Sequence, residues 1–97
     1  MNITDLIPQG KANAISRTEL RFKAQLRDRV MRELIERERR TGVIILNLQD
    51  GRGYYRPAPE DLDDILRQYR QNERRAMSIL VQQKHLRRTL KQAGEKV

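Results

Sequence analysis

The chain has 97 residues, enough for one domain with one modest core. It contains no cysteine, which excludes disulfides and thiolate metal sites, and its single histidine, His85, has no second histidine at ligand spacing. The net charge of +8 and the isoelectric point of about 10.6 favour polyanionic partners, through an attraction to phosphate that does not depend on sequence. The longest apolar run, Val43-Ile44-Ile45-Leu46, is far too short to span a membrane. Asp5 and Pro8 interrupt the apolar residues at the start, so no signal-peptide pattern is expected there.

Ile3, Leu6 and Ile7 predict a short helix capped by Asn2 or Thr4, broken by Pro8 and Gly10 and followed by a loop over residues 9–13. Ser16 and Glu19 form a capping box, which predicts a helix over residues 17–24 with Leu20 and Ala24 on one face and Ile15 as a staple. Leu26-Arg27-Asp28 reads as a turn, with Asp28 as the cap of a helix over residues 29–40. Val30, Met31, Leu34 and Ile35 make its apolar stripe, and Thr41-Gly42 ends it. Residues 42–57 predict a β-hairpin turning at Asp50-Gly51-Arg52-Gly53, with one of Tyr54 and Tyr55 on the core and the other on the surface.

Pro59 suits a first helical position, and nothing breaks the helix from Glu60 to Gln92, roughly 50 Å at 1.5 Å per residue. The carboxylates of Glu60, Asp61, Asp63 and Asp64 complement its N-terminal dipole. Leu62, Leu66, Tyr69, Ala76 and Leu80 follow a heptad seam with Glu73 inside it, while Ile79, Leu86 and Leu90 drift to a neighbouring stripe. A single small domain cannot bury so long a helix. Its first half is expected on the core, and its second half against a symmetry mate or in solvent, with Tyr69, Ala76, Ile79, Leu80 and Leu86 as candidate dimerisation residues.

The fold expected is α+β and mainly α: a winged helix-turn-helix over residues 1–58 with a two-stranded wing, a long helix over 59–92, and a frayed tail over 93–97. In that arrangement the helix from Arg29 is the recognition helix, entering the DNA major groove. Arg29, Arg32 and Glu33 are the candidate base readers, because arginine pairs bidentately with guanine and glutamate accepts from cytosine. Arg37 and Arg40 would meet phosphates, Arg17, Arg21 and Lys23 would hold the backbone, and Arg52 at the hairpin tip would enter the minor groove. Against this stands an exposed face of i,i+4 pairs: Arg29–Glu33, Arg32–Glu36 and Glu33–Arg37. Arg67, Arg70, Arg74, Arg75, Arg87, Arg88 and Lys91 offer a second basic face on the last helix. No nucleophile–histidine pairing, phosphate-cradling glycine loop or metal-ligand cluster is visible, so neither catalysis nor a metal or cofactor is expected.

The run Ala14-Ile15-Ser16-Arg17 through Leu20, then Leu26, Asp28-Arg29 and the IERERRTG ending at Gly42, resembles small helix-turn-helix proteins of Firmicutes phages and prophages. Asp50, Gly51, Tyr54 and Tyr55 match the hairpin of those proteins, and the resemblance covers about residues 6–75. The chain departs from them at Gln25, where glycine is common in the turn, and at Lys23, where an apolar residue is usual. The resemblance implies a winged-helix-like fold and a phage setting; the short apolar runs and the lack of a signal-peptide pattern lead to the expectation of the cytoplasm of a bacterial host cell. The function expected is binding of double-stranded DNA, as a homodimeric transcriptional regulator or replication accessory. The alternative is a phage-encoded module that binds and inhibits a host nucleic-acid-dependent enzyme, such as a defence nuclease.

Overall fold

The computed structural model describes residues 2–47 and 53–97. Two capping side chains organise the first part of the chain. Asn2 Oδ1 accepts from the Thr4 backbone N–H at 3.0 Å and opens a 3-10 turn over Ile3–Leu6. Ser16 Oγ accepts from the Glu19 N–H at 3.1 Å and opens α1, Arg17–Ala24, as its capping box predicts. Between them Lys11–Asn13 forms another 3-10 turn in place of the expected loop.

α1 stops at Gln25, which takes φ 55°, the only positive φ outside glycine among the described residues. The Gln25 and Leu26 N–H groups then turn back to the carbonyls of Phe22 and Arg21, both at 3.3 Å. This is the Schellman pattern, which usually places glycine where Gln25 stands. α2 follows over Asp28–Arg40. Arg27 occupies its cap position, so Asp28 is the first helical residue rather than the cap, and its carboxylate is free to pair with arginines. Thr41 and Gly42, the latter at φ 105°, close α2 in a second left-handed turn.

The core is Ile3, Ile7, Ile15, Leu20, Met31, Ile35, Ile45 and Tyr54, with Leu6, Ala24, Leu26, Leu34 and Val43 against it. α2 packs on both the first 3-10 turn and α1. The contact runs through Met31 and Ile35, both essentially fully buried. Val30, assigned to the stripe, is instead exposed: one residue before Met31, it is rotated about 100° away from that line.

The described residues contain no β-sheet, so the α+β class and the two-stranded wing are overturned. The molecule is mainly α, with α1, α2 and α3 (Leu62–Gln92) as its α-helices among the described residues. The reason lies in how residues 54–56 spend their backbone groups. Tyr54 exchanges bonds of 2.8 and 2.9 Å with Ile15, and Tyr55 exchanges bonds of 2.8 and 3.1 Å with Leu46. The Arg56 N–H donates to Pro8 at 2.8 Å, and its carbonyl accepts from Gly10 at 2.7 Å. Successive residues of extended chain present these groups to opposite sides, so each partner receives a single bridge and no ladder builds up. Chain is paired along both edges, and neither tyrosine reaches the surface: Tyr54 and Tyr55 are both buried. Asp50, Gly51 and Arg52, the expected hairpin tip, lie outside the described residues.

α3 begins two residues later than the sequence placed it, after a 3-10 turn over Pro59–Asp61. The buried Asp61 carboxylate accepts from the Ala58 N–H at 2.8 Å and the Lys11 N–H at 3.1 Å, and the Lys11 ammonium reaches Asp64 at 3.4 Å. The acidic residues thus anchor the start of α3 to the Lys11 turn as well as matching the helix dipole. Past this anchor, the partly covered side of α3 carries Asp64, Ile65, Gln68 and Gln71, and from Asn72 onward every residue is exposed. The expectation that its first half packs on the core is therefore not met. Ile65 apart, polar side chains occupy the positions facing the body, and Leu62, Leu66 and Tyr69 are left exposed. No helix among the described residues is long and apolar enough to cross a membrane.

Gly53 has φ 96°, and a Cβ there would fall on the Ile15 carbonyl and the Ser16 Cα. Gly53→Ala is therefore expected to destabilise the fold by more than about 1 kcal/mol, read as a lower urea midpoint at unchanged slope. Gln25→Gly is expected to do the reverse and stabilise by about 1 kcal/mol, because the left-handed conformation costs glycine nothing sterically.

Candidate nucleic-acid interface

The exposed side of α2 carries Arg29, Arg32, Glu33, Glu36, Arg37 and Arg40, the residues the apolar stripe leaves outward. At its N-terminal end one carboxylate joins two helices. Asp28 Oδ2 lies 3.0 Å from Arg32 Nε, and Asp28 Oδ1 lies 3.4 Å from Arg17 Nε on α1. Arg29 stands beside this trio with its side chain 86 % exposed and its Nε 3.2 Å from Glu33 Oε1. Arg32 thus pairs with Asp28 and not with Glu36, which lies 3.8 Å from Arg39. Arg37 and Arg40 form no ion pair among the described residues.

The cations expected on α1 do not share one surface. Arg17 joins the α2 arginines through Asp28. Arg21 lines a shallow cleft with Phe22, Gln25, Leu26 and Arg27. Lys23 pairs with Glu19 at 3.6 Å and turns toward the N-terminal residues Asp5 and Leu6. Successive helical residues diverge by about 100°, so positions 17, 21 and 23 cannot all face one phosphate track. At the far end of α2, Arg40 and Arg39 border a groove of about 570 Å³ that Asn47, Gln68, Asn72 and Arg75 also line. The basic surface therefore continues from α2 to the body-facing side of α3. Arg52 lies outside the described residues.

Two arginines serve the fold instead of the surface. Arg39 Nε donates to the Ile45 carbonyl at 3.0 Å, and Arg56 Nε donates to the Ile7 carbonyl at 2.8 Å. Their position beside turns is the only sequence hint of this. Phe22, the single phenylalanine, is 84 % exposed beside Arg21 and Arg27. Its signal in the sequence is its position off the Leu20 and Ala24 stripe, since an apolar residue on the wet side of a helix has no core to serve.

Compared with known proteins, the chain matches no family model, no curated protein and no solved structure.

The Asp28 trio is partly solvated, with side-chain exposures of 62 % for Arg17, 59 % for Arg32 and 30 % for Asp28. Pairs of this kind contribute about 0–1 kcal/mol each. Asp28→Asn is expected to lower the unfolding free energy by no more than about 1 kcal/mol. A loss of several kcal/mol in urea titration would show instead that the trio is a desolvated network holding α1 to α2.

Proposed function

We propose that the protein binds double-stranded DNA, with the N-terminal half of α2 in the major groove. It would act as a regulator or replication accessory in the phage setting that the resemblance implies. The observation that carries the proposal is the surface around Asp28. Two arginines from two helices are gathered by one carboxylate, a third, paired with Glu33, stands exposed beside them, and no other part of the described chain covers them.

The chemistry follows from the roles of these groups. Arg29 and Arg32 sit in the first turns of α2, where a helix entering the groove end-on meets base edges, and each can donate two parallel bonds to a guanine. Arg17 lies level with them on the neighbouring helix and takes a backbone phosphate. Arg37 and Arg40, without carboxylate partners among the described residues, neutralise phosphates further along. Asp28 and Glu33 hold the arginines extended before DNA arrives, and both exposed pairs exchange readily for phosphate or base contacts.

One observation favours a second reading, a module that binds and inhibits a host nucleic-acid-dependent enzyme. Phe22 projects into solvent between two arginines, which suits a protein surface better than a duplex backbone. Salt separates the two readings. DNA recognition weakens steeply as salt rises while keeping a sequence preference. An inhibitor shows weak, sequence-blind DNA binding.

Sequences selected from a random duplex pool at physiological salt supply the test. Arg29→Ala with Arg32→Ala is expected to abolish preference for the selected sequence and to reduce affinity for it at least about tenfold. Arg37→Ala should weaken all sequences alike and reduce the salt slope by about 1. A double variant that binds the selected sequence as tightly as the parent removes α2 from the groove.

A further inference from the structure

α3 leaves its apolar seam without a partner in its own chain. Leu62, Leu66, Tyr69 and Leu80 on the seam, and Leu86 and Leu90 on the neighbouring stripe, are between 42 % and 69 % exposed, although the helix has a body to pack on. The side that meets that body is the separate, mostly polar line of Asp64, Ile65, Gln68 and Gln71. The seam and the body therefore occupy different sides of the helix, and a second molecule can lie along the seam without displacing anything.

The charges along α3 say what that molecule is and how it runs. Residues 60–64 carry four carboxylates, of which Asp61 and Asp64 are engaged with the Lys11 turn and Glu60 and Asp63 are exposed. Residues 67–75 carry four arginines and one glutamate, and residues 84–91 carry Lys84, Arg87, Arg88 and Lys91 with no acid. Glu60 and Asp63 form no ion pair among the described residues, nor do Arg87, Arg88 and Lys91. In a parallel pair each block would meet its own copy, acids on acids and arginines on arginines. In an antiparallel pair the acidic start of one helix meets the basic end of the other, and the arginines of 67–75 meet residues 77–85, where Lys84 is the one formal charge.

We infer that α3 pairs antiparallel with α3 of a second copy of this chain, about a two-fold axis near Ala76. This inference does not rest on what α2 binds. With Ala76 level with its own counterpart, Leu62 comes level with Leu90 and Leu66 with Leu86. The same register sets Asp63 beside Arg88 of the second copy. Ala76, small and central, lets the two helices approach closely where they cross. Such an interface is isologous and closes on itself, so it ends at a dimer.

The absence of cysteine makes the arrangement directly readable. Full-length Leu62→Cys and Leu90→Cys are purified separately, then mixed and oxidised. A disulfide-linked dimer containing one of each is expected from the mixture and none from Leu62→Cys alone, because the two copies of position 62 lie roughly 40 Å apart in an antiparallel pair. Glu60→Lys with Asp63→Lys should weaken the dimer at least about tenfold, and mixing it with Arg88→Glu, Lys91→Glu should restore a mixed dimer. Cross-linking of Leu62→Cys to itself would make the pair parallel and overturn the inference. So would light scattering that finds the parent chain monomeric at tens of micromolar, or a dimer that neither cysteine position can trap.

Discussion

The close approach of the backbone at Gly53 and Tyr54 to the backbone at Ile15 and Ser16 is the contact on which the fold depends. Ile15 and Ser16 are the entry to α1, and Ser16 is its cap. The chain leaving α2 returns to that point and exchanges two hydrogen bonds with Ile15. It then runs past Pro8 and Gly10, where Arg56 adds a side-chain bond to the Ile7 carbonyl. Each bond contributes about 1 kcal/mol net, but leaving any of these buried groups unpaired would cost more. The approach exists because position 53 has no side chain. A Cβ there would separate the two segments, and Tyr54 would leave the cluster that also holds Leu20 of α1 and Met31 of α2.

What the sequence made legible was local. The Ser16 and Glu19 pair, the Met31 and Ile35 line and the glycine after Thr41 each act within a few residues; the first and last mark helix boundaries found in the structure, and the second marks the buried face of α2. The departure at Gln25 was legible too: a position where glycine is common proves to be left-handed while carrying a side chain. The hairpin was misread because its residues have the alternation of a strand, and alternation cannot say how many partners a strand has. Residues 54–56 find three, at Ile15, Leu46 and the Pro8–Gly10 corner, separated by up to 48 positions in sequence. The burial of both tyrosines follows from that division and from nothing within the segment itself. In α3 the heptad leucines were legible, but not that Asp61 and Asp64 would turn them away from the body.

The candidate site was legible in part for the same reason. The outward residues of α2 follow from its periodicity, and the structure leaves them outward. The grouping of Arg17 with Arg32 depends on how α1 meets α2 through a left-handed turn, which composition does not encode. Lys23 and Arg21 shared a list with Arg17 because all three are basic and close in sequence. On a helix, closeness in sequence separates side chains as often as it gathers them.

The carboxylates of α2 appear at first to oppose contact with a polyanion, and their partners decide how far that objection holds. Asp28, Glu33 and Glu36 each lie within ion-pair distance of an arginine. On the proposed reading they restrict those arginines before binding, so less side-chain freedom is lost when a base edge is met. They also cancel charge at every non-cognate site, where no base contact compensates for breaking the pair. Both effects would lower non-specific affinity more than specific affinity, which on that reading sharpens discrimination while leaving each copy a weak binder. A weak binder with sharp discrimination gains most from being joined to another, because the second contact then forms at the effective concentration set by the link. A stiff helical pair sets that concentration better than a flexible tether, since it fixes the distance between the two α2 surfaces. On the proposed readings the exposed charges of α3, acidic at Glu60 and Asp63 and basic at Arg87, Arg88 and Lys91, would select a second copy, and the paired charges of α2 would reject the wrong DNA.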